Sequence, residues 1–282
     1  MPGLIVLCAY QIKPVLAARQ QNALTAVLSP DLGLSTCTVQ LDSGGLEFPD
    51  GRLVRWEELD ELLDSPQNCF ELTPEGLEKI QAFSEYTNRH YGLMATESAP
   101  TMLVSGIPMH RIKNANPHTD TLAKIRAVKP VTGHVLDTAT GLGYTAIEAA
   151  RTAEHVITIE LDPTVMEVLR RNPWSQPLLH QPNIEQWFGD TFERITEFED
   201  ETFARILHDP PMISLAGELY STDFYFELYR VLKPKGVIFH YIGDLDSKLG
   251  SRVARGASRR LQEAGFRQVT PRREAFGLVV RK

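Results

Sequence analysis

Four acidic residues in the second half of the chain are spaced so that they can act together. Each one ends, or directly follows, a segment with the composition of a short strand. The carboxyl ends of parallel strands lie at one edge of a sheet, where ligands bind in open α/β folds. The sequence therefore predicts a ligand site lined by carboxylates, built from Asp137, Glu160, Asp190 and Asp209.

The turn after the first of these strands is rich in small residues. It carries Ala139, Gly141 and Gly143, and a helix pattern follows at Tyr144. Glycine allows a backbone turn to approach a ligand closely, and alanine is its mildest replacement. The next strand ends at Glu160, 23 residues after Asp137, close to the roughly 20 expected for one βαβ unit whose second acid holds ribose hydroxyls. These residues predict a nucleotide-binding βαβ unit.

A stiff segment follows the fourth strand and reads His208-Asp209-Pro210-Pro211-Met212. Proline fixes φ and has no amide donor, so the two prolines restrict the backbone next to Asp209. His208 is a candidate for proton transfer because imidazole titrates near neutrality. The alternative is a rigid strand exit with a structural histidine and no chemical role.

The elements that position these acids indicate an α/β fold. From about residue 133 strands and helices alternate, which predicts a doubly wound, seven-stranded Rossmann-like sheet with a closing hairpin. The strands are expected at 135–137, 156–160, 184–189, 204–208, 236–241, 267–270 and 278–281, and the main helices at 144–151, 164–171, 223–232 and 251–264.

The first half of the chain predicts a small α+β module over residues 1–100, a connector over 101–132 that packs over the cofactor site, and the catalytic domain over 133–282. Within the module, residues 4–10 are expected to form a buried strand, and 36–56 to form β-hairpins. Thr73-Pro74 is expected to open a helix, because Pro favours the first helical position. Residues 94–117 are expected to be mostly irregular, with a helix over 122–128 after them.

Composition narrows the class of protein. The 282 residues are 43% hydrophobic and 23% charged, as in ordinary globular enzymes. No apolar run approaches the ~20 residues that span a bilayer, so no membrane partner is expected. The three cysteines, Cys8, Cys37 and Cys69, have no CxxC spacing. We therefore expect no zinc site, no disulfide framework and a cytoplasmic location.

Charge is distributed unevenly along the chain. The whole chain has a net charge of −7, but residues 247–282 contain 10 Lys and Arg against 2 Asp and Glu. A basic segment on an acidic body is typical of proteins with an anionic partner such as RNA. An ordinary solvated helix explains the same pattern, since Arg252, Arg255, Arg259 and Arg260 flank an apolar stripe at steps of four.

The glycine turn Asp-Thr-Ala-Thr-Gly-Leu-Gly-Tyr-Thr-Ala, residues 137–146, resembles that of class I S-adenosylmethionine-dependent methyltransferases, in particular the archaeal-type predicted methyltransferases. The resemblance extends from about Ser105 to Phe266. It implies S-adenosylmethionine as the cofactor. It also implies that Asp137 with the turn residues Ala139, Gly141 and Gly143 contacts the methionine part, that Glu160 binds the ribose, and that Asp190 meets the adenine amino group.

The segment 208–212 is similar to the Asp-Pro-Pro-aromatic motif of methyltransferases that act on planar amino groups, with Met212 in the aromatic position. This resemblance implies an amine acceptor held by Asp209, with His208 as the second catalytic candidate. The substrate-binding candidates are Pro210, Pro211, Met212, Tyr220 and His110.

Two other functions stay open. Residues 215–225 and 231–236 are also similar to spermidine-synthase-type aminopropyltransferases, which use decarboxylated S-adenosylmethionine. A non-catalytic nucleotide- or RNA-binding subunit is the third hypothesis, since a fold of this kind does not guarantee catalysis. The expected partner is an acceptor of unassigned class (small amine, RNA or protein), and the N-terminal module is a possible homodimer contact.

Overall fold

The computed structural model describes residues 3–282. Its backbone contacts divide it into two compact units, residues 3–118 with 164–176, and residues 119–163 with 177–282. Within the described range, no helix combines the length and the apolar character needed to cross a membrane. The domain boundaries at residues 100 and 132 stay predictions.

The first unit contains small antiparallel sheets and short helices. Its sheets have the strand orders β1-β6-β7, β2-β3-β4-β5 and β11-β10-β9-β8. The strands are β1 Val6–Leu7, β2 Thr25–Leu28, β3 Cys37–Leu41, β4 Gly45–Glu47, β5 Leu53–Arg55, β6 Phe70–Thr73, β7 Gly76–Lys79, β8 Gln81–Ser84, β9 Arg89–Met94, β10 Thr101–Val104 and β11 Ile107–Pro108; the helices are α1 Ala9–Gln20, α2 Leu59–Asp64 and α5 Val165–Arg170.

The helix predicted to begin at Thr73-Pro74 is wrong, because these residues form the turn of the β6–β7 hairpin. Thr73 pairs with Gly76, and the Thr73 hydroxyl donates to the Gly76 carbonyl oxygen over 3.0 Å. Gly76 has a φ of 127°, which favours glycine. Proline suits the second position of a turn as well as the first turn of a helix, so it did not distinguish the two structures.

One other expectation for this half needs correction. The strand predicted over residues 4–10 is limited to β1, because the chain turns into α1 where the Gln11 side chain accepts the Cys8 amide over 3.1 Å. Residues 94–117 are mostly irregular, as predicted, and within them β10 and β11 pair as a hairpin. The β-structure predicted over residues 36–56 is confirmed by β3, β4 and β5.

The second unit contains the seven-stranded α/β sheet, as predicted. The strand order is β14-β13-β12-β15-β16-β18-β17. The first five strands are parallel, and β18 pairs antiparallel with both β16 and β17. The strands are β12 His134–Asp137, β13 His155–Glu160, β14 Ile184–Phe188, β15 Phe203–His208, β16 Leu232–Tyr241, β17 Gln268–Arg272 and β18 Gly277–Arg281.

Helices follow most strands of this unit and bury one face each. They are α3 Pro117–Ala127, α4 Tyr144–Ala150, α6 Gln176–His180, α7 Thr191–Arg194, α8 Thr222–Val231 and α9 Lys248–Glu263. The first two residues of α3 and the first residue of α6 belong to the first unit. In α8, Phe224, Leu228 and Val231 are buried, and in α9, Ala257 and Leu261 are buried. This amphipathic spacing anchors α8 and α9 on the apolar core of the sheet.

Candidate active site

The parallel strands of the second unit end at one edge, and their register brings the acids of neighbouring strands into line. Asp137 pairs with Thr158 of β13, two residues before Glu160. Glu160 in turn pairs with Phe188, so Gly189 and Asp190 follow at the same edge. On the other side of β12, Asp137 pairs with Leu207, two residues before Asp209. The four acids therefore stand at the ends of four adjacent strands.

The small-residue turn between β12 and α4 has glycine at two positions of positive φ. Gly141 and Gly143 have positive φ of 51° and 76°, and Ala139 does not. Alanine at residue 139 therefore carries no strain from the left-handed region. At Gly143, an added Cβ would lie 2.6 Å from Leu178 Cδ2, which is too close without a shift of the leucine.

Glu160 ties this turn to the next strand. Its Oε2 accepts the Gly141 amide over 2.8 Å, and its Oε1 accepts the Asp162 amide over 3.1 Å. Burial raises the pKa of Glu160, and the hydrogen bonds from the Asp162 and Gly141 amides oppose that rise. The two amides thus orient the carboxylate at the end of β13.

Asp137 is fully buried at the end of β12. Its carboxylate accepts hydrogen bonds from Thr158 Oγ1 over 2.8 Å and from Thr145 Oγ1 over 3.2 Å. Burial raises the pKa of Asp137 to about 8, and the negative charge of Asp209 adds to that rise, while the two threonine hydroxyls oppose it. Asp137 is therefore poised to change protonation state when a cation approaches.

A buried lysine, Lys124 of α3, holds two carboxylates at the same edge. Its Nζ lies 2.6 Å from Asp209 Oδ2 and 2.9 Å from Asp120 Oδ2, and 5.1 Å from the ring centroid of Tyr241. Burial by itself lowers the pKa of Lys124, but the charges of Asp209 and Asp120 outweigh burial and raise it above its ordinary value. Lys124 is therefore an ammonium ion.

Asp209 keeps part of its side chain exposed, 18%, whereas Lys124 and Asp120 are almost fully buried. Burial raises the pKa of Asp209, and the adjacent ammonium of Lys124 opposes that rise. The carboxylate thus faces solvent on one side and a fixed cation on the other.

His208 is fully buried beneath Asp209. Its Nε2 donates to the Leu219 carbonyl oxygen over 2.9 Å, so its Nδ1 accepts from Thr138 Oγ1 over 2.7 Å in the neutral tautomer. Burial lowers the pKa of His208 to about 3. Both ring nitrogens contact protein groups, a geometry that favours a structural role, and its proton-transfer role stays a prediction.

The loop after Asp209 is tied to the core at two points. The Tyr220 hydroxyl donates to the Pro211 carbonyl oxygen over 3.1 Å, and Arg260 Nε donates to the Tyr220 carbonyl oxygen over 2.7 Å. Pro210 is buried, whereas Met212 is 46% exposed. Tyr220 therefore braces the Asp-Pro-Pro segment through its hydroxyl, and Met212 is accessible to a ligand.

The remaining predicted residues have local partners. Asp190 caps α7 by accepting the Phe192 amide over 2.8 Å, which leaves further lone pairs on its carboxylate. His110 lies in the first unit, where its Nδ1 is 3.0 Å from Thr101 Oγ1. Its role in substrate binding stays a prediction.

Sequence reasoning missed Lys124 and the three threonines that contact the site, Thr138, Thr145 and Thr158. One signal for Lys124 was available. Asp120 and Lys124 are four residues apart in a helix, a spacing at which opposite charges pair, and apolar residues flank the lysine on both sides.

Comparisons with known proteins agree with this architecture. A family model described as "Conserved hypothetical protein 95" matches residues 118–241. The chain is 48% identical over 197 residues to the uncharacterized protein MJ1233 of Methanocaldococcus jannaschii, and the match covers 69% of this chain and 68% of that protein.

Similar solved structures include a spermidine synthase in complex with the transition state analogue AdoDATO (TM-score 0.58, 19% identity, 71% of each chain). The spermidine synthase from Thermotoga maritima has a TM-score of 0.56 at 18% identity, over 71% of this chain and 70% of that one. MnmC2 from Aquifex aeolicus has a TM-score of 0.52 at 19% identity, over 70% and 72%. At these identities the likeness shows the fold, which is class I methyltransferase-like.

Proposed function

The chain belongs to the family of the Methanocaldococcus jannaschii protein MJ1233, and from that premise we propose that it is an S-adenosylmethionine-dependent methyltransferase that acts on an amine nitrogen. The observation that carries the proposal is the row of acids Asp137, Glu160, Asp190 and Asp209 at the ends of four adjacent strands. An open α/β sheet binds its ligand at this edge.

These acids fit S-adenosylmethionine by charge and by hydrogen-bonding type. Glu160 would accept from the ribose hydroxyls, Asp137 would face the cationic methionine part, and Asp190 would accept from the adenine amino group. Carboxyl groups at this edge favour a sulfonium ligand, whose approach also favours ionisation of Asp137, and they disfavour the pyrophosphate of a nicotinamide dinucleotide.

When bound, S-adenosylmethionine supplies a methyl group that is already activated on a sulfonium. The protein's task is then to hold the acceptor nitrogen in line, and positioning of this kind supplies much of the rate. Lys124 contacts Oδ2 of Asp209, so we assign Oδ1 to the acceptor amine. The two prolines keep this carboxylate in place, and Tyr220 braces them.

Calorimetry of the purified chain with S-adenosylmethionine, its decarboxylated form and NAD separates the proposal from its rivals. We expect binding of S-adenosylmethionine and none of NAD. Transfer of a tritiated methyl group into lysate fractions of RNA, protein, polyamine and small molecules then identifies the acceptor pool. Absence of S-adenosylmethionine binding would contradict the proposal, and absence of binding of the decarboxylated form as well would favour a non-catalytic subunit.

Aminopropyl transfer is the second candidate, and a specific observation favours it. The Asp209 carboxylate is 18% exposed at the sheet edge where ligands bind, and an exposed carboxylate there attracts a polyamine cation. Stronger binding of decarboxylated S-adenosylmethionine than of the intact cofactor, with transfer to a polyamine, would establish this activity in place of methyl transfer.

A further inference from the structure

A basic cavity of about 360 Å³ lies on the second unit, lined by one face of α9 and by residues at the β17–β18 hairpin. The helix contributes positions 251, 254, 255, 258, 259 and 262, which recur at steps of three and four and so form one stripe. The cationic lining residues are Arg255, Arg259 and Arg273, and none of the lining residues is acidic.

We propose that this cavity is a phosphate-binding site, which holds the phosphate groups of an RNA chain or of a free nucleotide. Guanidinium groups bind phosphate oxygens in a bidentate manner, and the hydroxyls of Ser251 and Ser258 add neutral donors beside them. The apolar side chains of Leu245 and Leu278 also line the cavity.

The arginines of the cavity are held only by weak contacts. Arg273 pairs with Asp246 at 2.9 Å and Arg259 pairs with Glu263 at 3.5 Å, and all four side chains are at least half exposed. Exposed ion pairs contribute about 0–1 kcal/mol. Arg255 donates to the Ser251 hydroxyl over 3.0 Å. A phosphate with its larger charge therefore competes effectively for these guanidinium groups.

One residue that lines the cavity, Leu278, lies at the sheet edge that carries the candidate active site. Leu278 pairs with His240, and His240 pairs with His208, the residue before Asp209. Two strand spacings separate Leu278 from His208, roughly 10 Å. A polynucleotide carries one phosphate per ~3.4 Å of each strand in a helix, so one RNA chain can reach both places. A role of the cavity in holding an RNA acceptor for methyl transfer rests on the proposed function, whereas phosphate binding itself does not.

The test measures binding by the full chain without cofactor, so its failure is distinct from failure of methyl transfer. The probes are a fluorescein-labelled single-stranded RNA of about twelve nucleotides, followed by anisotropy, and ATP, followed by calorimetry. The variant replaces all three cavity arginines by glutamine (Arg255→Gln, Arg259→Gln and Arg273→Gln).

A matched control removes three positive charges at the opposite edge of the sheet, through Lys233→Gln, Lys235→Gln and Arg281→Gln. These residues are exposed, at the amino end of β16 and the carboxyl end of β18. Circular dichroism checks that both triple variants fold, and Arg255→Gln alone serves as a milder second variant.

We expect the cavity variant to raise the RNA Kd about tenfold or more and the control to change it less than twofold. Loss of three phosphate contacts should also reduce the slope of log K against log salt by about 2, at ~0.7 per contact for a single strand. Cavity-dependent binding of ATP but not RNA would support the phosphate site with a nucleotide as its ligand. Binding of neither probe, or equal losses in both triple variants, would overturn the proposal.

Discussion

Lys124 Nζ lies 2.6 Å from Oδ2 of Asp209, although the two residues are 85 positions apart in the chain. The contact joins α3 to the end of β15 and places a buried cation behind the carboxylate that we assign to the acceptor. Burial raises the pKa of Asp209, and the ammonium opposes that rise and holds the carboxylate in one orientation.

Lys124→Met should lower the stability of the second unit by about 3–5 kcal/mol, because it removes a buried ammonium that contacts the carboxylates of both Asp120 and Asp209. Urea unfolding measures the change. The exposed Lys248 offers a matched control, and Lys248→Met should stay within about 0.5 kcal/mol of the wild type. Equal losses in the two variants would mean that the Lys124 contacts stabilise nothing.

Asp209→Ala should reduce methyl transfer by about 100-fold or more, because the acceptor nitrogen loses the group that holds it in line. Cofactor affinity should stay within a few-fold, since the cofactor contacts are assigned to Asp137, Glu160 and Asp190. Transfer assays and calorimetry on the same preparation measure both quantities. Asp223→Ala at an exposed residue of α8 is the control, and retained turnover in Asp209→Ala would remove Asp209 from the mechanism.

Glu160→Gln should weaken S-adenosylmethionine binding by about 10- to 100-fold, because hydrogen bonds to a charged acceptor contribute about 1.5–3 kcal/mol. The exposed Glu199 supplies the control variant Glu199→Gln, whose affinity should match the wild type. Calorimetry measures the S-adenosylmethionine affinity of both variants. An unchanged affinity in Glu160→Gln would assign the ribose to another residue.

The sheet and its row of acids were predictable because their signals are local. A parallel strand is a short apolar segment, and its last residue marks the edge of the sheet. Asp137 and Glu160 were therefore placed correctly at their strand ends by position in the chain alone.

Lys124 was not predictable in the same way. Lysine is almost never fully buried unless it is paired, and one of its two partners, Asp209, is far away in sequence. The helix predicted at Thr73-Pro74 was wrong for a different reason. Proline is compatible both with the start of a helix and with a turn, and the pairing of β6 with β7 selects the turn.

Gly143→Ala should destabilise the fold more than a glycine replacement in open space. Alanine at a φ of 76° carries a left-handed penalty of about 1–2 kcal/mol, and its Cβ would also displace Leu178. Gly106 has a similar φ of 83° and nothing within 4 Å of its added Cβ, so Gly106→Ala measures the backbone penalty alone. Urea unfolding should show the larger loss for Gly143→Ala, and equal losses would exclude the leucine contact as a cause.

Asp137 should make the stability of the second unit fall as pH rises above neutrality. Its folded pKa of about 8 exceeds its ordinary value of 3.8, so between these values the folded chain holds a proton that the unfolded chain releases. The stabilisation from this group is fully present below pH 3.8. It then decreases by about 1.4 kcal/mol per pH unit as the pH rises towards 8, and it is lost as the pH rises through 8.

The buried histidines do not obscure this effect above pH 6.5. Burial lowers the pKa of His208 to about 3 and also lowers that of His240, so above their ordinary value of 6.5 both are neutral whether the chain is folded or unfolded. Urea unfolding at several pH values from 6.5 to 8 measures the free energy of unfolding of Asp137→Asn and of the wild type. The free energy of the variant relative to the wild type should therefore increase by about 1.4 kcal/mol per pH unit. Parallel pH profiles for the two proteins would show that Asp137 is already ionised in the folded chain.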